Sequence, residues 1–229
     1  MMSALDRRKL FDLLQTLQVL IIGAGPAGLL LAILLAQCHI PSIVLEAWDV
    51  LDNRLRATQY GVPATRIFRR AGILDDIRSE SITSFPSIVW RNAHTKEKLA
   101  GIDLSVVENE ADRMTVLPLN KLLRIMLRHC EEKYSDMVVV NFGHRVIDVR
   151  QDGEKAWAVV EAKAPERSES TVYEGDYVIG CDGGKSVVRK CLFGRHWPGQ
   201  TFESRLLVQN VSIIYLSLPR LLLTLAGFL

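Results

Sequence analysis

Residues 19–37 admit few folds. The run Val19-Leu20-Ile21-Ile22 meets Gly23-Ala24-Gly25-Pro26-Ala27-Gly28, a G-x-G-x-x-G pattern, and an apolar stretch of helix length then continues to near Gln37. A second short run, Ser42-Ile43-Val44-Leu45, ends on Glu46, eighteen residues past Gly28. Strand, glycine turn, helix, strand and terminal acid together make a dinucleotide-binding βαβ unit. Gly23 suits the tight turn, Gly25 lets the backbone approach a pyrophosphate, and Gly28 lets helix and strand pack closely. Unpaired N–H groups at the helix start then face the phosphates. Glu46 can accept hydrogen bonds from both ribose hydroxyls of an adenosine. A carboxylate there repels a 2′-phosphate, so the tightly held dinucleotide is expected to be FAD or NAD rather than NADP.

The charge balance implies no polyanionic partner, since 28 basic residues face 26 acidic ones in a chain of 229. The basic cluster Arg66 to Arg70 reads as a solvated helix face, not a nucleic-acid patch. Cys38, Cys130, Cys181 and Cys191 form no C-x-x-C pair. They point to reduced thiols in a reducing, cytoplasmic compartment and to no metal site. Val19 to Ala36 imitates a signal anchor, but three glycines and a proline cut it at the strand–helix joint. Leu206 to Leu229 is also apolar, yet Pro219 and Arg220 sit mid-run, where a bilayer tolerates them poorly. No membrane segment is expected.

Apolar spacing predicts a helix over 4–16, a helix over 64–71 closed by Gly72, and strands over 82–90 and 99–104 joined by a turn at His94–Glu97. A short extended piece at 114–117 precedes a helix over 120–133 and a buried strand at 137–140. Segments 145–150, 156–162 and 171–174 suit an antiparallel meander. Tyr177-Val178-Ile179 returns to the parallel sheet, and a short helix over 185–191 follows. Extended pieces and a meander interrupting the winding set this chain apart from the plain alternation of a small dehydrogenase.

The second motif is Tyr177-Val-Ile-Gly-Cys-Asp-Gly-Gly-Lys-Ser-Val-Val-Arg189. A strand ending at Asp182 puts a carboxylate at the carboxyl edge of a parallel sheet, where ligands bind in such folds. Gly183 and Gly184 let the backbone pass close to a cofactor. Taken alone, an ordinary strand-to-helix turn explains the motif equally well. The glycine pattern earlier in the chain favours the cofactor reading.

With these motifs the chain resembles the flavin-dependent aromatic hydroxylases, the group typified by para-hydroxybenzoate and phenol hydroxylases. Three pieces match in order: G-x-G-x-x-G with Glu46, the stretch Arg54-Leu-Arg56-Ala57, and Asp182-Gly183 within G-C-D-G-x-x-S-x-V-R. The resemblance implies an α/β fold: a Rossmann-like FAD-binding domain, a doubly wound parallel sheet with an antiparallel meander, plus an incomplete α+β substrate domain. The expected organisation is an N-terminal helix over 1–16, a discontinuous FAD-binding domain over 17–81 and 112–198, and a partial substrate domain over 82–111 and 199–229.

The resemblance also implies roles. Gly23, Gly25, Ala27 and Gly28 hold the FAD pyrophosphate and Glu46 the adenosine ribose. Arg56, with Ala57 in the R-x-R-A stretch, lies near the isoalloxazine or pyrophosphate, against the alternative of a surface arginine in a loop. Asp182 and Gly183 lie by the ribityl–pyrophosphate region and the route of the nicotinamide donor. The family opens the helix after Pro118 with Gln or Arg on the flavin. Here Asn120 either substitutes or caps the helix. The implied activity is FAD-dependent monooxygenation of an aromatic or polyketide-like small molecule, with NAD(P)H as transient electron donor. The alternatives are another FAD-dependent oxidoreductase of this fold and a non-catalytic flavin-binding fragment. The histidines and tryptophans form no ligand-spaced set and read as packing or surface residues, and no catalytic residue is assigned.

Family members continue well beyond this length and carry a Gly-Asp-Ala motif that does not occur here; Gly175-Asp176 is followed by Tyr177. From Val211 onward charge vanishes except for Arg220. We read this tail as retained intron sequence or a shifted frame, and the chain as a C-terminally shortened version. A half-built substrate domain is expected to expose apolar sheet surface and to invite association.

Overall fold

Val19–Ile22 carries no polar side chain, and all four residues are buried, so the first strand has a packed layer on each side. In the computed structural model the described residues are 17–54, 56, 58–82, 87–109, 113–161, 170–200 and 203. The expected helix over 4–16, Ala57 and the whole apolar tail lie outside them.

In chain order the elements are β1 (Val19–Ile22), α1 (Pro26–Gln37), β2 (Ser42–Leu45), β3 (Gln59–Tyr60), α2 (Val62–Arg70) and α3 (Leu74–Ser79). Next come β4 (Ser87–Arg91), β5 (Lys98–Asp103), β6 (Thr115–Val116) and α4 (Leu119–Arg128), which runs into a π-helical turn, His129–Lys133. Then follow β7 (Val138–Asn141), β8 (Val146–Gln151), β9 (Ala156–Val160), β10 (Thr171–Gly175), β11 (Tyr177–Gly180) and α5 (Val187–Phe193).

The parallel sheet has the order β11-β1-β2-β7. Side-chain alternation sorts its two faces. Val19, Ile21 and Val44 pack with α1, α2, α3 and α4 through Leu29, Phe68, Ile77 and Leu122. Leu20, Ile22 and Leu45 face the meander β8-β9-β10, meeting Val146, Ala158 and Val160, with Val188 of α5 beside them. The fold is the expected α/β arrangement, with the meander as its second layer. A tie closes the start of β1: Asp176 accepts from the Gln18 N–H at 2.7 Å and from Lys155 Nζ at 2.8 Å. That lysine, ahead of the backbone amide, holds the Asp176 carboxyl below its ordinary range.

Three local expectations shift. Of the strand expected over 82–90, Ile82 pairs with Val116 of β6 and β4 covers Ser87–Arg91, while 83–86 lie outside the described residues. The helix over 120–133 begins at Leu119 and widens after Arg128, where His129 Nε2 meets Asp76 of α3 at 2.5 Å. The helix over 64–71 begins two residues earlier, with Pro63 in its first turn, and Gly72 leaves it at φ +71°.

The described residues fall into two units, drawn from Met1–Thr83 with Met114–Trp197 and from Ser84–Arg113 with Pro198–Leu229. The second holds the β4–β5 hairpin, in which Ile88 pairs with Ile102 and Trp90 with Ala100. Its turn is set by Asn92, whose Oδ1 accepts from the His94 and Thr95 amides. Among the described residues no helix is long and apolar enough to cross a membrane.

Candidate dinucleotide site

The register of the parallel sheet decides where the motifs end up. Ile22 is level with both Gly180 and Leu45, and Leu45 with Asn141, so the carboxyl ends of all four strands share one edge. Gly23, Glu46 and Asp182 follow directly from that edge. Gly23 N–H donates to the Leu45 carbonyl at 2.8 Å and Cys181 N–H to the Ile22 carbonyl at 2.8 Å, extending the pairing into the turns.

Two glycines are required sterically. Gly23 has φ +106°, and a Cβ on it would lie 2.6 Å from the Cys181 carbonyl oxygen and 3.1 Å from the Asp182 Cα. The first glycine of the early motif therefore packs directly on the backbone of the late one. A Cβ on Gly28 would stand 2.0 Å from the Gly23 carbonyl oxygen, so the helix lies on the turn only because residue 28 is glycine. Gly25 differs: a Cβ there would meet nothing within 4 Å. It borders open space at the start of α1, where no side chain caps the helix and Pro26 and Ala27 are exposed. The first-turn amides of Ala27 and Gly28 have no intrahelical acceptor, and an anion supplies one.

Glu46 is half-buried, and its carboxylate is held in place. Oε2 accepts from the Ala24 N–H at 2.7 Å and Oε1 from the Trp48 N–H at 3.0 Å. Its backbone is tied to β7 and the loop beyond, through Glu46 N–H to Asn141 O at 2.9 Å and His144 N–H to Glu46 O at 2.7 Å. Each carboxylate oxygen keeps acceptor capacity for hydroxyl donors.

Asp182 anchors α5: Oδ2 accepts from the Val187 N–H at 2.5 Å and from the Val188 N–H at 3.3 Å, while Ser186 Oγ accepts from Arg189 N–H at 2.9 Å. Its Oδ1 is buried with no hydrogen-bond partner among the described residues. A buried acceptor without a donor is costly, and a ligand hydroxyl satisfies it. Gly183 follows at φ +78° with open space where a Cβ would stand. The open cradle at Gly25 and the unanswered Oδ1 of Asp182 both suit a polyhydroxylated diphosphate such as FAD.

Arg56 and Asn120 belong to a separate cluster. Asp52 Oδ2 lies 3.0 Å from Arg56 Nη2, and Asp52 also takes Arg54 as a fork, Nε to Oδ1 at 2.8 Å and Nη2 to Oδ2 at 2.9 Å. The Arg54 hydrogen bond, opposed by burial, holds the Asp52 carboxyl down at about 2. Arg56 stays 52% exposed. Asn120 is not the helix cap: Pro118 holds that place, and Asn120 is the second residue of α4. Its Nδ2 donates to Asn53 Oδ1 at 2.8 Å and its Oδ1 accepts from the Lys121 N–H at 2.9 Å. Asp52 and Asn53 stand outside the recognised motifs, although the D-N-R-L-R charge alternation signals an ion-paired loop. The loop reaches the sheet edge through Arg54, whose guanidinium lies over the Trp48 ring. No group of three or more His, Cys, Asp or Glu suited to a metal occurs among the described residues.

Comparison with known proteins shows the family. A family model described as an FAD binding domain matches residues 16–216. A 6-hydroxy-3-succinoylpyridine 3-monooxygenase from Pseudomonas putida is 30% identical over 195 residues, which is 84% of this chain and 48% of that protein. A para-nitrophenol 4-monooxygenase from Pseudomonas sp. strain WBC-3 is also 30% identical over 195 residues, 84% of this chain and 46% of that one. The crystal structure of a p-nitrophenol 4-monooxygenase from Pseudomonas putida DLL-E4 superposes with a TM-score of 0.68 at 25% identity, over 76% of this chain and 43% of that one. The chain spans about half the length of the curated relatives it matches.

Proposed function

Given that the chain belongs to the FAD-binding domain family, we propose that it serves as an FAD-dependent monooxygenase acting on an aromatic small molecule, with NAD(P)H as electron donor and O2 as oxidant. The observation that carries the reading is the packing of Gly23 on Cys181 and Asp182, which joins two distant motifs at one sheet edge. FAD, when bound, accepts hydride from the nicotinamide and activates dioxygen for transfer of one atom to an electron-rich ring.

The chain's residues bind and orient. Amides at Gly25, Ala27 and Gly28 receive the pyrophosphate in the open cradle at the start of α1. Glu46 accepts the ribose hydroxyls of the adenosine half. Asp182 Oδ1 accepts a hydroxyl from the ribityl side, and Gly183 keeps the approach open. Arg56 and Asn120 form the flavin-side wall, with Asp52 fixing Arg56 and Asn53 fixing Asn120. This chemistry asks for no nucleophilic side chain, because the cofactor supplies the reactive atom. Both curated relatives are named for substrates with a hydroxyl group on an aromatic ring, which favours a phenolic substrate.

The test is spectroscopic first. The purified chain is expected to carry or take up FAD with a resolved flavin absorbance band. It is then expected to oxidise NAD(P)H faster with a nitrophenol or hydroxypyridine present and to incorporate label from isotopic dioxygen. A folded chain that stays colourless in excess FAD overturns the proposal. A loaded chain that oxidises NAD(P)H without incorporating oxygen favours another flavin chemistry on the same fold.

A further inference from the structure

Trp48 is left without a task by this account. Its indole is 57% exposed, two residues beyond the carboxylate that meets the ribose. It is nonetheless firmly placed. The Trp48 backbone N–H donates to Glu46 Oε1 at 3.0 Å, and its backbone carbonyl accepts from Gly143 N–H at 2.8 Å. The guanidinium carbons of Arg54 and Arg145 each lie 5.9 Å from its ring centroid, within cation–π reach. Both cations already have carboxylate partners, Arg54 on Asp52 at 2.8 Å and Arg145 Nε 3.5 Å from Glu161 Oε2. The result is a planar, oriented, nearly charge-balanced surface, still largely open to water, tethered to the sugar-binding group.

We infer that Trp48 is the wall on which the adenine ring of the bound dinucleotide stacks. The inference rests on Glu46 as the acceptor of the adenosine ribose. A base bonded to C1′ of a ribose held at Glu46 projects sideways from the carboxylate, and Trp48 is the planar surface attached to that carboxylate. Stacking suits a base because every base has a π-face. The paired arginines do not demand a phosphate, and Glu46 opposes one at the 2′ position.

The test titrates the full 229-residue chain with 5′-ADP, adenosine 2′,5′-bisphosphate and FAD, following indole and flavin fluorescence. ADP is expected to quench the wild-type indole signal. In Trp48→Phe that change disappears, while ADP still displaces FAD. Trp48→Ala is expected to weaken both ADP and FAD by roughly tenfold, the scale of one lost base–aromatic stack. If the Ala variant folds poorly, the wild-type and Phe fluorescence comparison decides. Unchanged affinities in a folded Trp48→Ala, or an ADP-induced quench that survives in Trp48→Phe, overturns the inference while FAD binding at the edge stands. So does tighter binding of the 2′,5′-bisphosphate than of ADP, which assigns the arginines to a phosphate. A wild-type chain that binds neither ADP nor FAD removes the Glu46 reading and this inference with it.

Discussion

The glycine corner is proposed to hold the pyrophosphate and the sugars on either side of it, and the Asp52–Arg56 loop to wall the flavin, yet the two are built differently. At the corner, Gly23 and Gly28 are fixed by backbone against backbone, and Glu46 and Asp182 accept from main-chain amides. In the loop, side chains hold one another: half-buried Asp52 takes the exposed Arg54 and Arg56, and Asn53 takes half-buried Asn120. The first construction tolerates almost no substitution. The second rests on ion pairs in high dielectric, individually weak and open to exchange for a ligand contact.

The largest effect is therefore expected at Gly28. Gly28→Val places a branched side chain against the Gly23 carbonyl, where no flexible group can yield. It should cost roughly 3 kcal/mol or more in chemical denaturation, with loss of soluble chain. A stable, flavin-binding Gly28→Val would break the contrast outright. Asp182→Ala comes next. It leaves the Val187 and Val188 amides without their carboxylate acceptor and should cost about 1–2 kcal/mol, and Asp182→Asn should restore most of it because an amide oxygen still accepts.

Acid sharpens the loop side. The folded-state value of Asp52 lies below its ordinary value, so the unfolded chain binds that proton more readily than the folded one. The clamp's contribution is thus present above about pH 4 and is lost as pH falls toward about 2. Carboxyl-resolved NMR titration should find Asp52 near 2, and Arg54→Ala should return it toward the ordinary carboxylate range. The smallest stability effect is expected for Arg56→Ala, within about 0.5 kcal/mol. Flavin retention in the same variant should nonetheless fall if Arg56 serves the cofactor, and an unchanged flavin affinity would make it a loop ion pair only.

The same contrast explains what the sequence disclosed. Gly23, Gly28, Glu46 and Asp182 were legible because backbone geometry at a strand-to-helix corner allows few residue types, and those leave a pattern. The meander was legible from its period-two alternation, Ala156, Ala158 and Val160 inward against Trp157 and Val159. α3 was not, because six residues with only Leu74 and Ile77 buried give too little periodicity to detect. The displacement of Ile82 onto β6 depends on a partner more than thirty residues away, which local alternation does not encode. Asn120 was ambiguous for a similar reason. Its partner Asn53 lies in a distant loop, and Pro118 rather than any polar residue marks the helix start. Trp48 gave no signal at all, since an aromatic after an acid is compatible with any surface.

The two amides that grip Glu46 have a kinetic meaning. Because Ala24 and Trp48 already fix its carboxylate, a nucleotide arriving at the edge need not freeze a wandering rotamer, and the entropic toll of docking falls on the ligand and on displaced water. Loading of this half should accordingly resemble insertion into a rigid socket, swift and single-phase, ahead of any slower settling elsewhere.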